Sequence, residues 1–178
     1  VGDSALAAQE PASAVDMYNT AVGYNAGLAV TTGIRNTLIG GLAGDSYTDA
    51  DYNVAVGMFV LGSDTLGSRS TGMGYGALQT QNFTTATDSY NVGVGYDAGA
   101  ALTTGVQNTL IGGLAGDALT DADYNIAIGY ASLTTDTLGS RSVAMGPFAL
   151  YTQNFTTATT SYNTAVGYSA GGAVTTGI

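Results

Sequence analysis

The chain has no cysteine, histidine or tryptophan, only two prolines, and three basic residues among 178, all of them arginine. Without Cys or His there is no thiol nucleophile, disulfide staple, Cys/His zinc set or imidazole acid–base. Three arginines against 13 acidic residues give a net charge of −10, which predicts no nucleic-acid partner, because phosphate contacts need cationic side chains. No apolar run approaches the ~20 residues of a transmembrane helix, and no charged-then-apolar leader is present, so no membrane insertion is expected. Only 9% of residues are charged, against about 25% in ordinary soluble domains. What fills the space is glycine, 27 residues, and tyrosine, 12 residues. That composition suggests a repetitive, strand-rich extracellular scaffold.

The repeat is explicit. Asn36-Thr37-Leu38-Ile39-Gly40-Gly41-Leu42-Ala43-Gly44-Asp45 returns at Asn108 to Asp117, and Gln81-Asn82-Phe83-Thr84-Thr85-Ala86-Thr87 returns at Gln153 to Thr159. Both offsets are 72 residues. A glycine after an apolar residue marks a shorter period, at Gly2, Gly23, Gly40, Gly57, Gly74, Gly95, Gly112, Gly129, Gly146 and Gly167. The spacing is 17 residues for three coils and 21 for the fourth. Residues 1–178 are therefore expected to form a single repetitive segment. It begins and ends in mid-unit, which reads as a window of a longer fibrous chain.

Gly in nearly every segment argues against helix, where it costs ~1 kcal/mol. Alternation such as Val54-Ala55-Val56 fits a strand, and the residue before each glycine is Val, Ile or Met, types that favour strands. The expected fold is all-β: a parallel β-solenoid (β-roll or β-helix) of 17-residue coils with a 21-residue fourth coil and a 72-residue super-repeat. The residues one and three before the glycine are expected to point inward. The glycine itself is expected to supply positive φ or close backbone approach. Ten coils at about 4.8 Å each predict a rod of roughly 48 Å.

Three columns follow from stacking. Asn19, Asn36, Asn53, Asn91, Asn108, Asn125 and Asn163 stand four before the glycine and are expected to form an amide ladder, as in cross-β stacks. Tyr18, Arg35, Tyr52, Arg69, Tyr90, Tyr124, Arg141 and Tyr162 stand five before it, so each guanidinium should lie between tyrosine rings. A structural stack is the plainer reading of that column; an aromatic strip contacting a receptor or glycan is the other. A threonine eight after the glycine could add hydroxyl bonds or, as pairs such as Thr31-Thr32, an ice-binding face.

Acidic loops recur as Asp45, Asp49, Asp51 and Asp117, Asp121, Asp123. Carboxylates so spaced, with Asp64 and Asp136 contributed by neighbouring coils, could coordinate Ca²⁺, which takes 6–8 oxygens; the plainer reading is a solvated loop that keeps the rod soluble, with no cofactor. The long coils add tips carrying Asn82, Phe83 and Asn154, Phe155, with a divergent counterpart at residues 7–15. Insertions in solenoids gather on one face and often bind, so these are candidate contact loops, with Phe83 and Phe155 expected at a subunit seam.

Asn19-Thr20-Ala21-Val22-Gly23, Asn36-Thr37-Leu38-Ile39-Gly40 and Asn125-Ile126-Ala127-Ile128-Gly129 resemble repeats of phage tail fibres and similar virion appendages. They are also similar to the head repeats of trimeric autotransporter adhesins, though those have a shorter coil. The resemblance covers nearly the whole chain. It implies a homotrimer or other self-assembly, an extracellular or virion-surface location, and a structural shaft holding a receptor-binding tip that lies outside this segment. The alternative is a bacterial or archaeal extracellular filament or adhesin built from the same solenoid. An enzyme is not expected: paired carboxylates would recur along the rod with the repeat, whereas a glycosidase needs one pair in a cleft.

Overall fold

A computed structural model describes residues 1–10 and 16–178; part of the tip at residues 7–15 thus lies outside the described residues. The described residues contain no helix. Among the described residues thirteen short strands, numbered in chain order, wind into a stack of coils and pair in parallel. Nine of them form one continuous sheet: β1 (Thr20–Val22), β2 (Thr37–Ile39), β3 (Val54–Val56), β5 (Thr71–Met73), β7 (Val92–Val94), β8 (Thr109–Ile111), β9 (Ile126–Ile128), β11 (Val143–Met145) and β13 (Thr164–Val166). Two-stranded sheets pair β4 (Gly67–Ser68) with β6 (Thr87–Asp88), and β10 (Gly139–Ser140) with β12 (Thr159–Thr160). The molecule is a parallel β-solenoid of about nine turns.

Register follows the glycine marks. Thr20 pairs with Thr37, Ala21 with Leu38 and Val22 with Ile39, one 17-residue coil apart. Across the long coil Thr71 pairs with Val92, so four extra residues are absorbed without breaking the sheet. Each strand of the main sheet ends because its glycine turns the chain at φ between +122° and +138°. A Cβ on Gly23 would lie 2.5 Å from the carbonyl oxygen of Gly40 in the next coil. Both expected reasons for glycine hold at this position: a positive φ and a close backbone approach.

The inward phase differs from the expectation. The residue two before the glycine is buried in every strand of the main sheet, while those one and three before it face outward. The interior is thin, and it admits Ala21, Leu38, Ala55, Gly72, Gly93, Leu110, Ala127, Ala144 and Ala165. Period two describes either phase equally well; bulk decides, and the small column goes inside.

Volume is then balanced between two inward columns. Where Leu38 occupies the strand position, Gly27 and Gly44 lie against it; Cβ atoms on them would fall 2.7 and 2.9 Å from its methyls. Leu110 has Gly99 and Gly116 in the same places. Where the strand position is Gly93, the Leu78 side chain fills the gap, with its Cγ 2.7 Å from the missing Cβ. Close packing of this kind leaves little room for an extra methyl group. Val30, Tyr47, Leu102 and Leu119 extend the core along the opposite wall.

Candidate functional surfaces of the solenoid

The asparagine column is buried from Asn36 to Asn125 and half-buried at Asn19 and Asn163, and it is not a simple amide-to-amide ladder. Asn36 Oδ1 accepts the backbone N–H of Asn53 at 2.9 Å, and Asn36 Nδ2 donates to the Ala50 carbonyl at 2.6 Å. The same pair of bonds holds Asn19, Asn53, Asn91, Asn108 and Asn125 to the next coil. Asn163 Nδ2 bonds the Gly177 carbonyl. One direct amide–amide contact joins Asn108 to Asn91 at 3.3 Å. The physical reason lies one residue earlier. Tyr18, Arg35, Tyr52, Arg69, Tyr90, Gln107, Tyr124, Arg141 and Tyr162 all have φ between +51° and +65°, a left-handed conformation that costs about 1–2 kcal/mol outside glycine. Backbone groups exposed by that turn need partners, and the Asn side chains supply them.

In the Tyr/Arg column Arg35 and Arg69 lie between two tyrosine rings, whereas Arg141 lies over one. Arg35 Cζ lies 5.9 and 5.3 Å from the ring centres of Tyr18 and Tyr52. Arg69 lies 4.8 and 5.9 Å from Tyr52 and Tyr90, and Arg141 lies 4.6 Å from Tyr124. Arg69 Nε also pairs with Asp88 Oδ1 at 2.9 Å. Threonine hydroxyls of Thr31, Thr48 and Thr120 donate to carbonyls of Thr48, Thr65 and Thr137 in the next coil, so these hydroxyls brace coils. Thr32 and Thr104 donate to Asp49 and Asp121.

The six aspartates of the acidic loops do separate work. Asp51 and Asp123 accept the backbone N–H of Ile34 and Val106, both at 2.8 Å. Asp49 and Asp121 take the threonine hydroxyls just named. Asp117 accepts the Thr134 hydroxyl, and Asp45 stands half-buried with burial pushing its carboxyl above the usual range. Among the described residues no three acidic side chains come together to hold a metal.

The long coils hold a feature that the sequence reading missed. Asp64 is buried, and its Oδ1 accepts the N–H groups of Gly67 and Phe83 at 3.0 Å. Its Oδ2 accepts from Gln81 Nε2 at 2.7 Å. Gln81 Oε1 accepts from Asn91 at 2.9 Å, and Ser70 and Ser89 share a hydroxyl bond at 2.6 Å. Asp136, Gln153, Ser142, Ser161 and Asn163 repeat the network. Burial raises the Asp64 carboxyl, opposed by these hydrogen bonds. The available signal was positional: Asp64 and Gln81 occupy the wall column otherwise filled by Val30, Tyr47, Leu102 and Leu119. Polar residues in an apolar column mark where four extra residues are clamped. Phe83 and Phe155, expected at a subunit seam, are instead buried within their own chain, because these clamps draw them in. Asn82 and Asn154 remain at the surface and accept from Thr65 and Thr137.

The outer face of the nine-stranded sheet is the main apolar surface. Val22, Ile39, Met73, Ile111, Met145 and Val166 are 36–68% exposed. No charged residue stands in any of the nine strands. Tyrosines flank it: Tyr18, Tyr52 and Tyr90 before the strands, Tyr24, Tyr75, Tyr96 and Tyr130 after the glycines. No helix of the described residues is long and apolar enough to cross a membrane.

Comparison with known proteins returns no match: no family model fits the chain, and neither a curated protein nor a solved structure matches it.

Proposed function

We propose that this chain is a structural shaft segment of an extracellular or virion appendage, of the phage tail-fibre kind, working by rigidity and self-assembly rather than by catalysis. The observation that carries the reading is the uncharged outer sheet face running the length of the stack. Nine strands at ~4.8 Å span about 40 Å. Each strand is 3 residues long, about 10 Å at ~3.3 Å per residue, so the uncharged strip covers on the order of 400 Å²; the column before it adds tyrosines together with Arg35, Arg69 and Arg141. Contiguous apolar patches of that size mark interaction sites. A second and third copy of the chain are the natural cover, since the strip has the same period on every copy. The arginines are engaged by tyrosines and Asp88, which supports the absence of a nucleic-acid partner. The acidic-loop carboxylates recur with the repeat, and Asp49, Asp51, Asp117, Asp121 and Asp123 bond neighbouring coils, which supports a non-enzymatic role without a metal cofactor. A receptor would be met by a tip outside this segment.

The test is the mass of the native assembly by multi-angle light scattering, for the wild type and for Ile39→Lys with Ile111→Lys. Three copies about one axis that fall to monomers in the variant, with the circular dichroism unchanged, support the shaft. A wild type that stays monomeric at high concentration overturns it. An open helical stack favours the alternative, a bacterial or archaeal surface filament.

A further inference from the structure

Asp45 and Asp117 hold equivalent places 72 residues apart, yet their surroundings differ. In the second unit Thr134 donates its hydroxyl to Asp117. In the first unit the matching residue is Gly62, where a Cβ would lie 3.1 Å from Asp45 Oδ1. Among the described residues no side chain donates to Asp45. The vacated space is a groove of about 180 Å³ lined by Leu42, Asp45, Phe59, Gly62, Ser63 and Gln79. In the second unit Tyr151 replaces Gln79 and Thr134 replaces Gly62, both adding bulk where the groove would be, while Ala131 and Thr135 stand where Phe59 and Ser63 line it.

We propose that this groove binds one hydroxyl-rich ring, a neutral monosaccharide unit of a glycan. Size limits the ligand first. The volume equals about six waters at ~30 Å³ each and falls below the ~300 Å³ of drug-sized sites, so it holds a single ring. Chemistry limits it next. Leu42 and Phe59 offer an apolar wall for the C–H face of a sugar. Phe59 is held edge-on by Tyr75 at 5.7 Å, and Tyr75 stacks on Tyr96 at 5.6 Å, so the aromatic side of the groove is braced. Asp45 brings carboxylate acceptors for hydroxyl groups; Ser63 and Gln79 bring both donors and acceptors. The carboxylate, on a chain of net charge −10, disfavours phosphates and acidic sugars.

The experiment is a titration of the ¹⁵N-labelled 178-residue chain with D-glucose, D-galactose, D-mannose and N-acetyl-D-glucosamine, followed by amide chemical shifts. Expected are saturable shifts at Asp45, Ser63 and Gln79 with at least one sugar in the millimolar range. Gly62→Thr, which copies the second unit, should weaken binding at least tenfold (about 1.4 kcal/mol or more). Gly62 does not have a positive φ, so Thr should fold there; Gln79→Tyr fills the groove from another wall should it not. The reverse change, Thr134→Gly and Tyr151→Gln together with Ala131→Phe to restore the aromatic wall, should create a second set of shifts around Asp117. No saturable response to any of the four sugars overturns the proposal. Equal responses in wild type and both filling variants also overturn it, as does saturation by methylammonium chloride without any sugar response.

Discussion

Asn53 Oδ1 accepts the backbone N–H of Ser70 at 2.8 Å while its Nδ2 donates to the Gly67 carbonyl at 2.9 Å, so one buried side chain closes two backbone gaps in the next coil. Asn53→Ala strands both groups, and each buried orphan costs about 1–3 kcal/mol. The expected loss is about 2–5 kcal/mol, with a similar loss for Asn125→Ala. Thermal or urea unfolding measures it; an unchanged melting temperature in the double variant would remove the ladder from the stability account.

Arg69 gives the contrasting case. It stacks between Tyr52 and Tyr90 and pairs with Asp88, but this cluster is exposed. Water and salt weaken such contacts. Arg69→Ala should therefore shift the melting temperature less than Asn53→Ala does, and the shift should shrink further in high salt. A larger effect than the Asn53 variant shows would mean that the Tyr/Arg column bears more of the fold than its exposure allows.

Tyr47 carries a buried hydroxyl with no hydrogen-bond partner among the described residues, and Leu119 holds the same place in the second unit. Tyr47→Phe removes the orphan and keeps the ring. It should stabilise the chain by about 1 kcal/mol. Equilibrium denaturation decides; a clear loss of stability would reveal a partner for the hydroxyl.

Glycines differ sharply by column. Gly95 has φ +138°, and a Cβ there would lie 2.5 Å from the Gly112 carbonyl oxygen. Gly95→Ala should cost more than about 3 kcal/mol through strain and displacement of the next coil. Gly41 has its nearest atom 4.0 Å from a built Cβ. Gly41→Ala should instead be neutral or gain about 0.4–1 kcal/mol by restricting the unfolded chain. Equal effects of the two changes would contradict the stacked-glycine geometry.

Burial raises the carboxyls of Asp64, Asp45 and Asp117 above the ordinary range. A raised folded-state value means that the folded chain holds these protons more tightly than the unfolded chain. Their contribution to stability is greatest below the unfolded value of about 4 and is lost as the pH rises through the raised folded values. The melting temperature should fall as the pH rises from about 4 through the raised folded values at fixed salt, and Asp64→Asn should flatten that slope. A melting temperature that climbs with pH over this interval would reverse the sign and refute the argument.

The period was the legible part of the fold. Gly23, Gly40 and Gly57 set a register that the strand pairs of β1, β2 and β3 reproduce residue for residue. The phase was not legible from alternation, because Val54-Ala55-Val56 reads the same with either side inward; the small size of Ala55 was the deciding clue. Pairing of Arg35 with Tyr18 and Tyr52 could be read off because stacking brings equal positions together. The fate of Phe83 could not, since it depends on Asp64, 19 residues earlier, accepting its N–H. The groove beside Asp45 also escaped a reading built on what repeats, because it lies where Phe59, Gly62 and Gln79 depart from Ala131, Thr134 and Tyr151.

Bonds of the continuous sheet join one coil to the next, so they lie along the stacking axis while the covalent backbone runs around it. An axial pull therefore loads non-covalent contacts in series, and the peptide chain bears tension only after a coil has opened. Failure should begin at an end and advance by whole coils, like tape peeled from a roll. Each 17-residue coil would release about 50 Å of slack at ~3.3 Å per residue, which gives the segment the mechanics of a stepwise extensible tether rather than of an inextensible cable.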